Sequence, residues 1–531
     1  MTATAEEYRE PGELLFRPPI VVPFQISAVA RMYLAGAGMA TWDTGVGKTA
    51  LTIGVVCVAM EQQTADHALI VCETNKLTDW KREFAKFSLI PPDQVAVYHG
   101  PKRRQLLEDL PRVLITSYET ARADAAVFET SRKIHDGPLA TALAGRRLVV
   151  AYDESSKLGN RSSKLYKAHA HLLKILRRGY PHSRVLMLTG TPMEGGGYEQ
   201  FYNQLRLLAP DALPNVGTWT AECVKYRDDY DRPTYIDEGI EKFRRQAAPL
   251  ISRMRKSDPE VREHFPPFTE KFESITMRKD QRELYQRLED LAWDEEGEFV
   301  QVPGLGQLLY QLAGDPLAVR YAAERGSSGL AKMAWRVLGS ELGRCSSAKA
   351  DYLWDWYVDP IVKSGSKLLV FSFYGQTVIP ALHDRLEKRF RARRPPLFTY
   401  HGGMSVPQRD ATLSAFRSCQ GGAVLLLSDA GAKGLNLPEA PYTVEYEVAR
   451  TSAIRTQRAG RGHRFGGRDP VTFATFTLEG TAEARAAVPK MLERNQQQDY
   501  MLGDIGAEGY TTADDRRELF AMSRHRKVIT A

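Results

Sequence analysis

From Pro23 to about Leu208 the chain alternates short apolar runs with amphipathic stretches. The runs Gly38–Trp42, Ala68–Cys72, Val95–Tyr98, Val113–Thr116, Leu148–Tyr152 and Val185–Leu188 are compact and rich in β-branched residues, and they predict strands. Helical spacing between them predicts crossover helices, so this part reads as an α/β unit with a mainly parallel sheet. From about Asp211 to Leu342 the pattern changes. Apolar residues recur at helical spacing, as at Leu284, Leu288 and Leu291, and few strands are expected. A second α/β unit follows, with predicted strands Lys367–Phe371, Leu397–Tyr400, Val424–Leu427, Thr443–Tyr446 and Val471–Phe476. The predicted order is an N-terminal arm (1–22), a first lobe (23–210), a helical insert and linker (211–345), a second lobe (346–492) and a C-terminal tail (493–531).

Composition narrows the class. Of the 531 residues, 43% are hydrophobic and 26% charged, enough for a sizeable core and too apolar for wholesale disorder. Lys plus Arg is 72 against 65 Asp plus Glu, a net charge of +7, which permits a polyanionic partner without demanding one. The longest apolar run, Ala50 to Met60, falls short of the ~20 residues a membrane span needs. Met1 to Glu10 is polar and acidic, without a secretory signal pattern. The five cysteines, Cys57, Cys72, Cys223, Cys345 and Cys419, form no CxxC pair. Neither disulfides nor a structural zinc site is expected, and the predicted compartment is a reducing cytoplasm.

Two segments carry phosphate chemistry. Trp42-Asp-Thr-Gly-Val-Gly-Lys-Thr49 follows a predicted strand and opens the apolar helix Ala50–Met60. Thr44, Gly45, Val46 and Gly47 would curl so that backbone N–H groups face a phosphate, beside a helix N-terminus that favours negative charge. Lys48 would reach the β- and γ-phosphates of ATP, and the Thr49 hydroxyl would ligate Mg²⁺. The strict pattern has Gly where this chain has Trp42. Downstream, Leu148-Val-Val-Ala-Tyr-Asp-Glu154 is an apolar strand ending in two acids. Asp153 is expected to hold the metal, and Glu154 to orient or deprotonate the attacking water.

Further segments come in a fixed order and together resemble a superfamily-2 helicase core of the Snf2-like group. Pro23-Phe-Gln25 resembles that family's adenine-recognising segment, which implies nucleotide contact by Gln25. Ala68 to Lys76, with Trp80 and Glu83, resembles motif Ia, and Leu114 to Glu119 motif Ib. Asp153-Glu-Ser-Ser-Lys-Leu-Gly-Asn160 resembles motif II with the Lys and Asn typical of Snf2 relatives, and Leu188-Thr-Gly-Thr-Pro192 resembles motif III. Leu369–Ser372, Leu427–Pro438 and Gln457–Arg464 resemble motifs IV, V and VI, and Ile251–Lys256 and Gln281–Tyr285 echo the family between the lobes.

The resemblance covers roughly Pro23 to Leu492. It implies an α/β fold of two RecA-like parallel-sheet lobes with a helical insert between them, hydrolysing ATP at the interface of the lobes. It further implies catalytic roles for Gln457, Arg461 and Arg464 beside Lys48, Asp153 and Glu154. Arg458, Arg461 and Arg464 are expected on one helical stretch, the last two sharing a face. Nucleic-acid contacts carried over by motif are Asn75, Lys76, Thr116, Ser117, His401, Gly402 and Ser428, with Gly434 and Asn436 letting backbone approach a phosphate. Arg103, Arg104 and the cluster Lys388, Arg389, Arg391, Arg393 and Arg394 offer added charge.

Several positions depart from the family pattern. Ser156 stands for the His that links motif II to motif III, Glu73 stands where the family often has Pro, and the Trp-Asn-Pro before motif VI is absent. The expected activity is an ATP-driven motor on nucleic acid, DNA before RNA, of a minimal bacterial or phage type working in the cell or host cytoplasm. The alternatives are an RNA helicase and an ATP-gated nucleic-acid clamp with little turnover. A protein partner is left open, and no membrane is expected.

Overall fold

In the computed structural model the described residues are 23–129, 133–193, 197–229, 231–292, 302–325, 328–390, 396–429, 435, 437–449, 451–467, 469–487 and 501–502. The predicted arm, Arg391, Arg393, Arg394, Gly434, Asn436 and all of the tail except Met501 and Leu502 lie outside them. The described residues fall into two compact units, 23–262 with Met501 and Leu502, and 263–487.

The first unit is built on a seven-stranded sheet in which every pairing is parallel. In chain order its strands are β1 (Ala37–Trp42), β2 (His67–Cys72), β3 (Val95–Tyr98), β4 (Val113–Ser117), β7 (Leu148–Asp153), β8 (Arg184–Leu188) and β11 (Ile251–Met254). Their spatial order is β11-β1-β8-β7-β2-β4-β3. Two antiparallel hairpins, β5 (Ala126–Phe128) with β6 (Ile134–Asp136) and β9 (Val224–Arg227) with β10 (Pro233–Tyr235), stand apart from that sheet. Helices cover a parallel sheet on both faces, which is why its inner strands read as near-continuous apolar runs. The helix Lys48–Glu61 is buried all round from Ala50 onward. The helix Leu77–Phe87 buries only Leu77, Trp80, Phe84 and Phe87, the stripe its helical period presents to the sheet. Met501 and Leu502 return to this unit's core.

The second unit carries a six-stranded parallel sheet, order β12-β17-β16-β13-β15-β14. Its strands are β12 (Phe268–Ile275), β13 (Lys367–Ser372), β14 (Leu397–Tyr400), β15 (Ala423–Ser428), β16 (Tyr442–Glu445) and β17 (Val471–Leu478). The helices Lys279–Glu289, Leu305–Gly314, Ala318–Glu324 and Gly329–Arg344 supply the expected helical segment, and their apolar faces share one core with this sheet. Leu284 and Leu288 are in that core, while Leu291 is exposed.

Every strand predicted from the apolar runs is present. The stretch 211–342 is less purely helical than its pattern suggested. It contributes β11 to the first sheet and β12 to the second, both at a sheet edge. Edge strands meet a partner on one side only and tolerate polar residues, so their signal in the sequence is weak.

Candidate functional site

The loops at the carboxyl ends of β1, β7 and β8 bring most of the expected nucleotide residues together, as open parallel sheets do with ligand sites. Between β1 and the helix Lys48–Glu61, Gly45 and Gly47 take φ of 92° and 113°, backbone open to glycine and strained for other residues. A Cβ on Gly47 would sit 2.0 Å from Gln25 Nε2. Gln25 is buried, and its amide donates to Val46 O at 2.8 Å, bracing the loop from behind. Trp42 ends β1 with its side chain buried and its indole N–H donating to Ser252 Oγ at 2.9 Å on the adjacent β11. The positive φ angles fall at Gly45 and Gly47, not at Trp42, where the strict P-loop pattern has Gly. Lys48 Nζ donates to Trp42 O at 2.7 Å, lying along the rim of the loop, and Thr49 occupies the first helical turn beside it.

Sequence reasoning missed the residues of β11 and its exit that hold this loop. Asp43 N donates to Met254 O at 2.9 Å, and Lys256 N donates to Asp43 Oδ2 at 3.0 Å. Arg253 Nη1 donates to Thr41 O at 2.6 Å. The family echo at Ile251–Lys256 was the available signal, but it did not say that the segment is a strand of the first sheet.

Asp153 closes β7 and Glu154 follows in the left-handed region, φ 55° and ψ 55°. A non-glycine residue there costs about 1–2 kcal/mol, and such strain is concentrated at functional sites. Trp80 Nε1 donates to Asp153 Oδ2 at 3.0 Å, and Tyr118 OH donates to Asp153 O at 2.8 Å. Burial raises the Asp153 pKa. The Trp80 hydrogen bond and the charges of Lys76 and Lys48 pull it back, and Glu73 adds to the rise. Among the described residues no cluster of three or more His, Cys, Asp or Glu gathers to hold a metal. One carboxylate at Asp153 and one hydroxyl at Thr49 are a donor set that fits Mg²⁺, which binds through one or two carboxylates plus substrate phosphates and keeps several waters. Thr49 and Asp153 are the residues that would hold it.

The loop after β8 approaches the same place. A Cβ on Gly190 would lie 3.4 Å from Trp42 O, 3.6 Å from Thr44 Oγ1 and 3.7 Å from Lys48 Nζ. Thr191 N donates to Thr189 Oγ1 at 3.0 Å, and both side chains are buried. The turn after Glu154 is tied down by its neighbours. Ser155 Oγ donates to Gln204 Oε1 at 2.9 Å, on the helix Gly197–Leu208. Lys157 Nζ pairs with Glu73 at 3.0 Å, and Asn160 Oδ1 accepts from Ser162 N at 3.0 Å. The Glu73 departure thus has a partner in motif II.

In the second unit the motif VI helix is Ser452–Ala459, and Gly460 caps it. Gln457 and Arg458 lie on the helix; Arg461 and Arg464 lie in the turn beyond it, a correction to the expected single helical stretch. The chain turns there, and both guanidiniums still converge, donating to Leu435 O at 3.0 Å and 3.3 Å. Burial, and then the neighbouring Arg461 charge, lowers the Arg464 pKa to about 9. Arg464 has no ion pair among the described residues, and its Nε is buried without a partner. Arg458 is the opposite case. It is 2% exposed, chelates Asp429 at 2.7 Å and 2.8 Å, and donates to Glu445 at 2.9 Å. Burial works against its charge, but Asp429 and Glu445 outweigh that and hold it protonated.

The nucleic-acid candidates divide. Asn75 and Lys76 sit in the turn after β2, and Lys76 Nζ lies 3.7 Å from Asp79. His401 and Gly402 sit in the loop after β14, where His401 Nδ1 accepts from Gly403 N at 3.2 Å. Ser428 ends β15 and is nearly buried. A Cβ on Gly375 would lie 2.5 Å from its Cβ and 3.5 Å from that of His401, so these three positions are neighbours. Thr116 and Ser117 are buried, their hydroxyls donating to Tyr98 O at 3.0 Å and Thr120 Oγ1 at 2.9 Å. Arg103 and Arg104 both pair with the buried Asp124, at 2.5 Å and 2.8 Å, and Arg389 pairs with Asp351.

Comparison with known proteins places the chain in a family. The SNF2-related domain matches residues 28–308, and the helicase conserved C-terminal domain matches residues 348–466. An uncharacterized ATP-dependent helicase of Mycoplasma pneumoniae is 22% identical over 454 residues, spanning 84% of this chain and 38% of its own length. A probable ATP-dependent DNA helicase of Arabidopsis thaliana is 24% identical over 504 residues, spanning 91% of this chain and 41% of its own. The chain thus spans well under half the length of either relative. The Pyrococcus furiosus Hef helicase domain shares the fold, with a TM-score of 0.54 at 16% identity over 89% of this chain and 98% of that one. No helix among the described residues is long and apolar enough to cross a membrane.

Proposed function

The chain belongs to the SNF2-related family, and from that premise we propose that it is an ATP-driven motor that tracks along double-stranded DNA with little strand separation. The observation that carries this is the meeting of the Lys48 loop, the Asp153–Glu154 turn and the Gly190 loop at the carboxyl ends of β1, β7 and β8. Backbone amides of residues 44–49 cradle the phosphates, and the Lys48 ammonium exchanges the Trp42 carbonyl for phosphate oxygen. Bound Mg²⁺ would neutralise phosphate charge, with Thr49 and Asp153 as its protein ligands. Glu154 orients the attacking water and takes its proton. From the second unit, Arg461 and Arg464 supply cationic charge to the transition state, as an arginine finger does, and Gln457 accompanies them. That both guanidiniums converge on Leu435 O supports their acting together. Arg458 is already neutralised and serves the fold.

On the nucleic-acid side, Asn75, Lys76, His401, Gly402 and Ser428 contact the phosphate backbone, which supplies affinity without reading sequence. At Thr116 and Ser117 the hydroxyls are already engaged, so any contact there comes from the backbone. The Arabidopsis relative's name as a DNA helicase supports DNA over RNA. Among the described residues from Leu427 to Arg464 there is one short strand and one helix and no hairpin to act as a wedge. Displacement of a third strand from a triplex reports duplex tracking, and release of a strand from a forked duplex reports unwinding. The reading predicts the first with little of the second; efficient fork unwinding without triplex displacement refutes it.

A further inference from the structure

The acidic turn and the loop after β8 are joined by buried amides on the helix Gly197–Leu208. Gln204 is fully buried. Its Oε1 accepts from Ser155 Oγ at 2.9 Å, and its Nε2 donates to Pro192 O at 2.6 Å and to Gln200 O at 3.1 Å. Two carbonyls on the nitrogen side fix which end of the amide is which, since a flipped side chain would set oxygen against oxygen. The Ser155 hydroxyl is thereby committed to donating. One residue earlier, Asn203 Nδ2 donates to Gly159 O at 2.8 Å, at the far end of the same turn. Adjacent amides therefore hold both ends of the segment that follows Glu154, and one of them also grips the loop whose Gly190 packs on Lys48.

We propose that Gln204 is a positioning residue that couples Glu154 to the loop after β8, so that the left-handed backbone at Glu154 and the placement of Gly190–Pro192 depend on each other. It touches neither ATP nor water. It acts through Ser155, the residue next to Glu154, and through Pro192, two residues beyond Gly190. The proposal rests on the reading of Glu154 as the group that activates water. Burial makes the link stiff, because a displaced amide would leave Ser155 Oγ and Pro192 O without partners and without solvent.

The test compares wild type with Gln204→Leu, Ser155→Ala, the double variant and Glu154→Gln in the full chain. Steady-state ATP turnover, affinity for a fluorescent ATP analogue and the thermal midpoint are measured for each. Misplacing a reacting group by about an ångström costs on the order of 100-fold. Gln204→Leu is expected to lower kcat about 10- to 100-fold, with nucleotide affinity held within about threefold. Ser155→Ala removes a single hydroxyl and keeps the variant set usable if Gln204→Leu folds poorly. It should lower kcat by less, again without loss of affinity. The double variant should turn over no more slowly than Gln204→Leu, because both changes cut one link.

A further variant, Gln204→Glu, offers a readout that packing alone would not move. Ionised, it cannot donate to Pro192 O; protonated, it can. Its turnover relative to wild type should therefore rise as the pH falls. Wild-type kcat in Gln204→Leu and Ser155→Ala, or affinity and thermal midpoint falling in step with kcat, or a flat Gln204→Glu ratio, overturns the coupling. Undiminished turnover in Glu154→Gln overturns instead the reading on which it rests.

Discussion

Arg458 and Arg464 are six residues apart in sequence and carry the same charge, yet their surroundings predict opposite work. Arg458→Ala removes the cation that chelates Asp429 and meets Glu445, leaving the fully buried Glu445 to the more weakly placed Arg455, 3.7 Å away. Removing one partner of a buried ion pair costs about 3–5 kcal/mol, chiefly because the other charge stays buried without compensation. In a domain of about 150–250 residues each kcal/mol moves the midpoint by about 2–4 °C, so the second unit's transition should fall by about 6–20 °C. Arg464→Ala takes one of two donors from Leu435 O and relieves the field Arg461 exerts on a buried neighbour. Its thermal cost should stay within about 1 kcal/mol, the size of one ordinary hydrogen bond. Turnover, in contrast, should fall on the order of 1,000-fold, with ATP affinity changed only a few-fold. Scanning calorimetry of the full chain with a coupled ATPase assay reads both quantities. An Arg458→Ala protein melting within about 2 °C of wild type, or an Arg464→Ala protein that melts early and hydrolyses normally, refutes the assignment.

The other expectations concern titration and charge. Trp80→Phe removes the indole N–H that holds the Asp153 pKa down. The acid limb of the turnover–pH profile should move to higher pH, and an unmoved limb counts against Asp153 as a metal ligand. Burial, with help from Glu483, pushes Glu447 up to about 7 against the pull of Lys349, Arg458 and Ser372. The folded state then holds a proton that the unfolded chain releases nearer pH 4.5, so stability present below that pH is lost as pH rises through about 7. Glu447→Gln, neutral throughout, should flatten this fall in urea midpoints taken from pH 5 to pH 8, and an unchanged slope would contradict it. The logarithm of DNA affinity should fall linearly with log salt, since phosphate contacts release counterions; a flat response argues against backbone tracking.

Much of the fold was legible because buried parallel strands write apolar runs that few other structures require. The strands that escaped were edge strands. β12 reads Phe268-Thr-Glu-Lys-Phe-Glu-Ser-Ile275, with three charged residues in eight and mostly exposed, and β11 is a short segment running into Arg255 and Lys256. The nucleotide residues were legible because their chemistry ties residue types to fixed spacing. Their supports were not. Trp80 and the segment holding Arg253 stood out only through the family resemblance, which did not say what either side chain holds, and nothing in its local pattern distinguishes Gln204 from an ordinary helix residue. Charge was a weak guide. Arg103 and Arg104 read as a basic pair, and the structure shows both sharing the one buried carboxylate of Asp124.

The central claim is that the Lys48 loop and the Asp153–Glu154 turn form a hydrolytic site driven by contact with DNA. The direct test is the steady-state ATPase rate of the full chain with Mg²⁺, measured without nucleic acid and with single-stranded DNA, duplex DNA and RNA, beside Glu154→Gln under the same conditions. The account predicts turnover that duplex DNA stimulates most, and a Glu154→Gln protein that binds ATP but scarcely hydrolyses it. Turnover indifferent to every nucleic acid, or undiminished by Glu154→Gln, would contradict it.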